Sequence, residues 1–296
     1  MAKFKRKYKI LLITVGIIAI LIISCYLLFS NRLILTRISY GNLYFDKNKE
    51  ILVLNDILRW DTGANGSVIF NEHRDKIAEK QRIGLVSVQD SYAKKKFVFH
   101  WYLPHFNLGN SMKISRFFFS IVQTIPLTVE ECTAIGIIGM DVIGKANWII
   151  DFNSGKIDVL PQNKIYKIQK QPRLTLKYKY ELRPETQLDF SICQFENVLI
   201  DAGFDNEISL FKSDIEEINK KHKPVDTLIS YRHGIFFANP VAQTIYIYDS
   251  LQINNICFNN VRILEEDRRS IGLLFFKRFN KLFLNSKEKA FYFYEM

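Results

Sequence analysis

An aspartate on a tight turn between two apolar runs constrains the fold of this chain more than any other feature. The run Leu58-Arg59-Trp60 leads into Asp61-Thr62-Gly63-Ala64, and Val68-Ile69-Phe70 follows. Glycine lets the backbone come close to other groups, and a threonine hydroxyl can bond back to the main chain. The pattern predicts two buried strands with a carboxylate held on the loop between them.

The second half of the chain repeats this order around Asp201. Val198-Leu199-Ile200 leads into Asp201-Ala202-Gly203, and an apolar run follows. Downstream of each aspartate stands an apolar stretch that contains a glycine, ending at Gly139 in the first half and Gly272 in the second. Asp61 lies 78 positions before Gly139, and Asp201 lies 71 positions before Gly272. A repeat of nearly half the chain predicts a duplicated lobe.

Asp-Thr-Gly-Ala, followed by Ile137-Ile138-Gly139 and a hairpin pattern over Trp148 to Ile157, resembles the retropepsin and pepsin clan of aspartic peptidases. The resemblance implies an all-β fold with two pseudo-symmetric β-barrel lobes, over residues 31–165 and 166–296, after an N-terminal segment of residues 1–30. Because one chain would supply both lobes, it also implies a monomer.

Under this resemblance Asp61 and Asp201 form a catalytic pair. Two carboxyl groups held this close cannot both ionise, so they share one proton and activate a water molecule between them. This chemistry needs no cofactor and no metal ion. The implied partner is a peptide or protein substrate.

The loops that carry the two aspartates have implied supporting roles. Gly63 and Gly203 are expected to donate backbone N–H groups and to permit close approach, with Ala64 and Ala202 in the same loops. Thr62 is expected to link the two loops through its hydroxyl.

The second loop departs from the family pattern at two positions. Ala202 stands where a hydroxylated residue is usual, and Phe204 replaces the small or hydroxylated residue that usually follows the glycine. Half of the reciprocal bracing between the loops is therefore expected to be missing.

Two alternating runs, Arg82 to Val88 and Lys96 to Leu103, flank the polar stretch Gln89 to Lys95 and predict a β-hairpin. In the family this hairpin would be the flap that closes over substrate. Tyr92 is the candidate flap tyrosine, although a tyrosine at a hairpin tip is as often a plain surface residue.

The N-terminus has the pattern of a membrane anchor. A basic cluster between Lys3 and Lys9 precedes Ile10 to Phe29, which carries no charge over 20 residues. That length matches one helical crossing, with the N-terminus cytoplasmic and the rest of the chain on the outer side. The alternative is a bacterial lipoprotein with Cys25 as the lipidated residue, because Ile22-Ile23-Ser24-Cys25 resembles a lipobox. A cleaved secretory signal fits less well.

The net charge of +11 includes five cations of that N-terminal cluster, and the remaining charge is scattered. No basic stripe interleaved with aromatic residues is present, so nucleic acid is not expected as a partner. The five histidines lack metal-ligand spacing.

Outside the apolar segment three cysteines remain: Cys132, Cys193 and Cys257. One disulfide is possible in an oxidising compartment, but buried unpaired thiols are favoured.

Two hypotheses of function follow. The first is a membrane-anchored aspartic endopeptidase, and the alternative is a non-catalytic relative that binds extended peptides. An unrelated β-rich surface domain is a third possibility. A serine nucleophile is not indicated, because Ser67 and Ser209 lack the Gly-x-Ser-x-Gly pattern.

Overall fold

A computed structural model describes residues 13–24, 36–49, 51–89, 95–123, 134–164, 170–232 and 241–295. Residues 37–296 group into one compact unit, separate from residues 1–36. The compact unit is mostly β, as predicted.

The first part of this unit contains eleven described strands: β1 (Arg37–Ile38), β2 (Gly41–Tyr44), β3 (Val53–Leu54), β4 (Leu58–Trp60), β5 (Val68–Phe70), β6 (Gln81–Gln89), β7 (Lys95–Leu108), β8 (Met112–Val122), β9 (Gly136–Ile138), β10 (Asn147–Asp151) and β11 (Lys156–Leu160). Ten further described strands follow: β12 (Leu174–Lys177), β13 (Glu185–Asp189), β14 (Gln194–Ile200), β15 (Ile208–Leu210), β16 (Asp226–Arg232), β17 (Val241–Ile253), β18 (Ile256–Glu265), β19 (Ser270–Ile271), β20 (Lys281–Asn285) and β21 (Ala290–Tyr294).

These described strands form three sheets. Sheet one has the order β3-β4-β9-β5-β8-β7-β6, with β1 also paired to β8. Sheet two has the order β13-β14-β19-β15-β18-β17-β16, and sheet three has the order β12-β21-β20-β10-β11-β2. The predicted hairpin of β6 and β7 is confirmed, with Leu85 opposite Phe99 and Val88 opposite Lys96.

Sheets one and two correspond strand by strand along their main paths. In each, the strand before the aspartate pairs in parallel with the short strand before Gly139 or Gly272, as β4 with β9 and β14 with β19. The short strand pairs antiparallel with the strand after the aspartate loop, as β9 with β5 and β19 with β15. This correspondence supports the predicted duplication, while the pseudo-symmetry of two lobes stays a prediction.

The predicted β-barrel form of the lobes is wrong, because none of the three sheets closes among the described strands. The two ends of sheet one, β3 and β6, are not paired with each other, and neither are β13 and β16 of sheet two. β3 is only two residues long, and β6 and β16 are outer strands that pair with β7 and β17. The sheets therefore remain open.

Sheet three joins the two halves of the unit. β10 from the first half pairs antiparallel with β20 from the second, with Trp148 opposite Leu284 and Ile150 opposite Leu282. All four side chains are fully buried. The contact between the halves is thus a continuous hydrogen-bonded sheet with an apolar face.

One hydrophobic core runs through the three sheets, and its largest members are aromatic. Trp60 of sheet one lies 6.1 Å from Trp148 of sheet three, measured between ring centroids. Phe279 and Phe293 are 4.9 Å apart by the same measure. The many aromatic residues of the chain therefore serve core packing, as β-rich sequences favour.

Residues 13–24 are helical (α1), and the other described helices are short: α2 (Met140–Ile143), α3 (Lys212–Asn219), α4 (Leu273–Phe276) and a 3-10 helix (Asn71–Lys76). Ser213, with Glu216 three positions later, fits the pattern of a capping box and predicts Ser213 as the N-cap of α3. This prediction is wrong. The N-cap is Phe211, which has an extended backbone and makes no side-chain capping hydrogen bond. Ser213 therefore lies inside the first turn of α3.

The predicted single-pass membrane anchor over Ile10 to Phe29 is contradicted. Within the described part of the chain, no helix is both long and apolar enough to cross a membrane. The remaining positions of the predicted span, with the lipidation candidate Cys25, lie outside the described residues.

The two described cysteines are unpaired. Cys193 is partly buried, and Cys257 is exposed rather than buried as predicted. Cys132 lies outside the described residues.

If sheet three holds the halves together, Leu284→Ala should destabilise the fold strongly. Its side chain is fully buried, and a Leu→Ala change at such a site costs about 2–5 kcal/mol through lost burial and the cavity left behind. Urea unfolding of the full chain measures this cost. Leu85→Ala is the matched control, because Leu85 is 59% exposed and should change stability by less than about 0.5 kcal/mol. Equal effects of the two changes would contradict the role given to sheet three.

Candidate active site

The two aspartate loops are held in the same way by the strands behind them. The backbone N–H of Asp61 donates to Ile138 O at 3.1 Å, and that of Asp201 donates to Ile271 O at 2.9 Å. The residue after Gly139 or Gly272 then donates back into the loop, Met140 to Ala64 O at 2.8 Å and Leu273 to Phe204 O at 2.8 Å. Each aspartate loop is therefore hydrogen-bonded to a short strand, β9 or β19, and to the start of the helix after that strand, α2 or α4.

The structure brings the two aspartates face to face. A Cβ atom placed on Gly63 would lie 2.3 Å from Cγ of Asp201, and one placed on Gly203 would lie 2.2 Å from Cγ of Asp61. Real Cβ atoms are not found at such distances, so each glycine makes room for the carboxyl group of the opposite loop. The approach is reciprocal, although the two aspartates are far apart in sequence.

Each carboxylate is also oriented by its own loop. Oδ1 of Asp61 accepts from the N–H groups of Gly63 at 2.9 Å and Ala64 at 3.0 Å. Oδ1 of Asp201 accepts from the N–H of Gly203 at 2.9 Å. These bonds fix one oxygen of each group and leave Oδ2 for other partners.

Thr62 links the two loops through a buried hydroxyl. Its Oγ1 donates to Ile200 O at 2.7 Å and accepts from the N–H of Ala202 at 2.9 Å. Thr62 is completely buried, so water does not compete for these bonds. Ala202 takes part through its backbone alone, since its side chain has no hydroxyl to return a bond.

The environment of the pair raises the pKa of Asp61 to about 7. Burial is the largest cause, and the negative charge of Asp201 and a hydrogen bond between the two side chains act in the same direction. The positive charge of Arg59 and the N–H of Ala64 oppose the rise. Asp61 therefore holds a proton over most of the acidic range, beside a second carboxyl group that is 4% exposed.

Two arginines reach the site without having been singled out from the sequence. Arg59 donates from Nη2 to the carbonyl oxygen of Gly203, across the two loops. Nη1 of Arg268 lies 3.2 Å from Oδ2 of Asp201. Arg59 is a charged residue inside an apolar run, and this unusual position in the sequence could have marked it as a site residue. Arg268 lies in an ordinary charged stretch, and nothing in the pattern marks it.

A second polar contact supports the first loop. Ser67 donates from Oγ to Asp141 Oδ1 at 2.9 Å and accepts from the N–H of Gly139 at 3.1 Å. Gly139 is the N-cap of α2. Ser67 thus ties the end of the loop to the start of that helix, which is a positioning role.

The flap region is described only in part. β6 and β7 are present, and Val88 and Val98 on these strands, like Ala64 of the first loop, pack against the buried cluster of Phe70, Val122 and Ile137. Tyr92 lies outside the described residues, so its role as the flap tyrosine stays a prediction. Within the described part of the chain, no group of three His, Cys, Asp or Glu side chains converges as metal ligands would.

Removal of the Thr62 hydroxyl should destabilise the site. Thr62→Val keeps the shape of the side chain but leaves Ile200 O and the N–H of Ala202 without that partner, which we expect to cost about 1–3 kcal/mol. Chemical unfolding of the full chain measures the loss. Thr62→Ser is the control, because it keeps the hydroxyl and should recover most of the stability. If the valine and serine variants are equally stable, the link between the loops is not what Thr62 contributes.

The raised pKa of Asp61 makes stability depend on pH. The folded chain keeps a proton on Asp61 up to about pH 7, whereas the unfolded chain loses it near pH 4. The folded state therefore binds more protons in this window, and the free energy of unfolding falls as pH rises through it.

Asp61→Asn removes this titration, so the variant should gain stability relative to the parent between about pH 4 and 7, by up to about 4 kcal/mol. Urea unfolding at several pH values tests this, with Asp158→Asn on sheet three as the control. A stability difference that does not change with pH would contradict it.

Comparison with known proteins gives the fold alone. No family model and no curated protein matches the chain. Among solved structures, a basic 7S globulin from soybean is 8% identical, with a TM-score of 0.52 over 87% of this chain and 95% of that one. Conglutin gamma, a basic 7S globulin from lupine seeds, is 8% identical, with a TM-score of 0.51 over 88% of this chain and 95% of that one.

A retropepsin-like aspartic protease from Rickettsia conorii is 15% identical and covers 44% of this chain and 98% of its own, with a TM-score of 0.30. That score is too low to bear on the fold. The two globulin matches show that the chain shares their overall fold. Evidence for its function comes from the site itself.

Proposed function

We propose that this chain is an aspartic-type endopeptidase, with Asp61 and Asp201 as its catalytic residues. One observation carries the proposal: two carboxyl groups from separate halves of the chain meet across Gly63 and Gly203, where burial and the charge of Asp201 raise the pKa of Asp61 to about 7. A pair with one proton can act as a base and an acid in the same step.

The chemistry requires a water molecule between the two carboxyl groups. The ionised aspartate removes a proton from this water as its oxygen attacks the peptide carbonyl carbon. The protonated aspartate donates to the carbonyl oxygen. The substrate class is an extended peptide or an unfolded protein, which would lie across the two loops.

The alternative function is a peptide-binding module without catalysis, and the second loop favours it. Ala202 and Phe204 provide no hydroxyl groups, and the loop of Asp201 donates one N–H group to its carboxylate where the loop of Asp61 donates two. A site that keeps both carboxylates but holds one of them less firmly could still bind a peptide.

Proteolysis by single Asn variants separates the two functions. Asp61→Asn and Asp201→Asn each remove one proton-transfer group while keeping its size. Each should therefore lower the rate of cleavage of an unfolded protein by about 10²-fold or more. Asp158→Asn, which makes the same change on sheet three, should keep the parent rate.

Peptide affinity, measured on the same variants by calorimetry, completes the test. Retained binding with lost cleavage supports the peptidase. Binding by a parent chain that cleaves nothing supports the alternative, and cleavage that persists in both Asn variants excludes the proposed pair.

A further inference from the structure

The two aspartates differ in what contacts their second oxygen. Oδ1 of Asp201 is bound by its own loop, and Oδ2 faces Nη1 of Arg268 at 3.2 Å. Phe204, on the same loop, has no hydroxyl to donate there. Its ring instead lies beside the arginine, with 5.5 Å between the guanidinium carbon and the ring centroid. Oδ2 of Asp201 is thus paired with the guanidinium cation of Arg268.

Arg268 is held in place by more than this one contact. Its Nε lies 3.2 Å from Glu266 Oε2, and its backbone oxygen accepts from Ser209 Oγ at 3.1 Å. Glu266 is itself oriented by Gln243, whose Nε2 donates to Oε1 at 2.9 Å. The guanidinium group is therefore fixed between two carboxylates.

This ion-pair network is largely shielded from solvent. The side chains are 24% exposed for Arg268, 6% for Asp201 and 8% for Glu266. Burial would lower the pKa of Arg268, but the charges of Asp201 and Glu266 outweigh it and raise that pKa above its ordinary value. Arg268 therefore stays charged.

The charged groups around the pair come from several elements. Arg59 is on β4 and Asp61 follows it, Asp201 follows β14, Glu266 follows β18, and Arg268 precedes β19. Two cations thus face three carboxyl groups. Both arginines favour an ionised dyad, but only Arg268 makes a direct ion pair with one member, since Arg59 donates to the carbonyl oxygen of Gly203.

We propose that Arg268 is a positioning residue that fixes the negative charge of the dyad on Asp201 and leaves the proton on Asp61. The consequence for catalysis rests on the proposed function. Asp201 is then the general base that takes the proton of water, and Asp61 is the general acid that donates to the carbonyl oxygen.

Protons and bonds balance under this assignment. The water O–H bond breaks as the new C–O bond forms, and the carbonyl oxygen takes the proton of Asp61. When the C–N bond breaks, the leaving nitrogen takes the proton held by Asp201, and a hydroxyl of the intermediate returns its proton to Asp61. Arg268 takes no part in these transfers.

Titration of the carboxyl groups tests the proposal without any substrate. Full chain labelled with carboxyl-¹³C aspartate is titrated by NMR, and the two resonances are assigned from Asp61→Asn and Asp201→Asn. In the parent, the first ionisation of the pair should appear mainly at the resonance of Asp201. In Arg268→Gln, that first ionisation should move up by about one pH unit or more, because a neighbouring cation lowers a carboxyl pKa by one to three units.

Three further variants provide two controls and one substitute for the titration experiment. Arg268→Lys keeps the charge and should restore much of the parental ionisation. Arg183→Gln removes an exposed arginine that pairs with Glu185 and should leave the dyad unchanged. Should Arg268→Gln fail to fold, Glu266→Gln provides the test. It removes a competing negative charge and should move the first ionisation down.

An unchanged first ionisation in folded Arg268→Gln, or in Glu266→Gln if that variant is needed, overturns the proposal. So does a parent whose first ionisation appears at Asp61.

Cleavage assays separate this proposal from the proposed function. If the parent cleaves peptides, the acidic limb of kcat/KM should move upward in Arg268→Gln by the same amount as the titration. A parent that cleaves nothing, but whose dyad titrates as described, contradicts the proposed function and leaves the role of Arg268 standing. Cleavage with an acidic limb that does not move in Arg268→Gln contradicts the role of Arg268 alone.

Discussion

The site depends on the close contact of two loops that each carry an aspartate. Like charges at this distance repel, and the repulsion is strongest where water is excluded. Three kinds of contact oppose it: the buried hydroxyl of Thr62 between the loops, the reach of Arg59 to Gly203, and the proton shared by the carboxyl groups. Burial of Asp61, together with the negative charge of Asp201 beside it, raises the pKa of Asp61.

The rest of the fold keeps the loops in register. Sheet three runs unbroken from one half to the other, and its buried face carries Trp148 against Trp60, directly before Asp61. A shift of the two halves would therefore disturb both the hydrogen-bonded ladder and the aromatic core. The short strands β9 and β19 hold the backbones of the two aspartates in place through one hydrogen bond each.

Much of this arrangement could be predicted from the sequence because it is encoded locally. The two Asp-x-Gly loops, the strands behind them and the hairpin of β6 and β7 follow from apolar runs and turn residues. The open edges of the sheets could not be predicted, since closure depends on strand lengths and on the direction of hairpins. The N-cap of α3 could not be predicted from residue type. Ser213 fits the cap pattern, but the helix already begins at Lys212, after Phe211.

Arg268 could not be predicted for a different reason. Its contact with Asp201 depends on how the turn between β18 and β19 places one residue of a charged stretch, and its neighbour Arg269 instead pairs with Asp214 on α3. Adjacent residues of the same type thus have unrelated partners. Only the folded arrangement distinguishes them.

Because both loops belong to one polypeptide, each can change without changing the other. A symmetric homodimer would carry every substitution twice, so a hydroxyl lost from one loop would be lost from both, and a cation gained beside one carboxyl group would be gained beside its mate. Here Thr62 faces Ala202, and Ile135 stands four residues before Gly139, the position that corresponds to Arg268 four residues before Gly272. A single chain that carries both loops therefore permits the two carboxyl groups to have unequal surroundings.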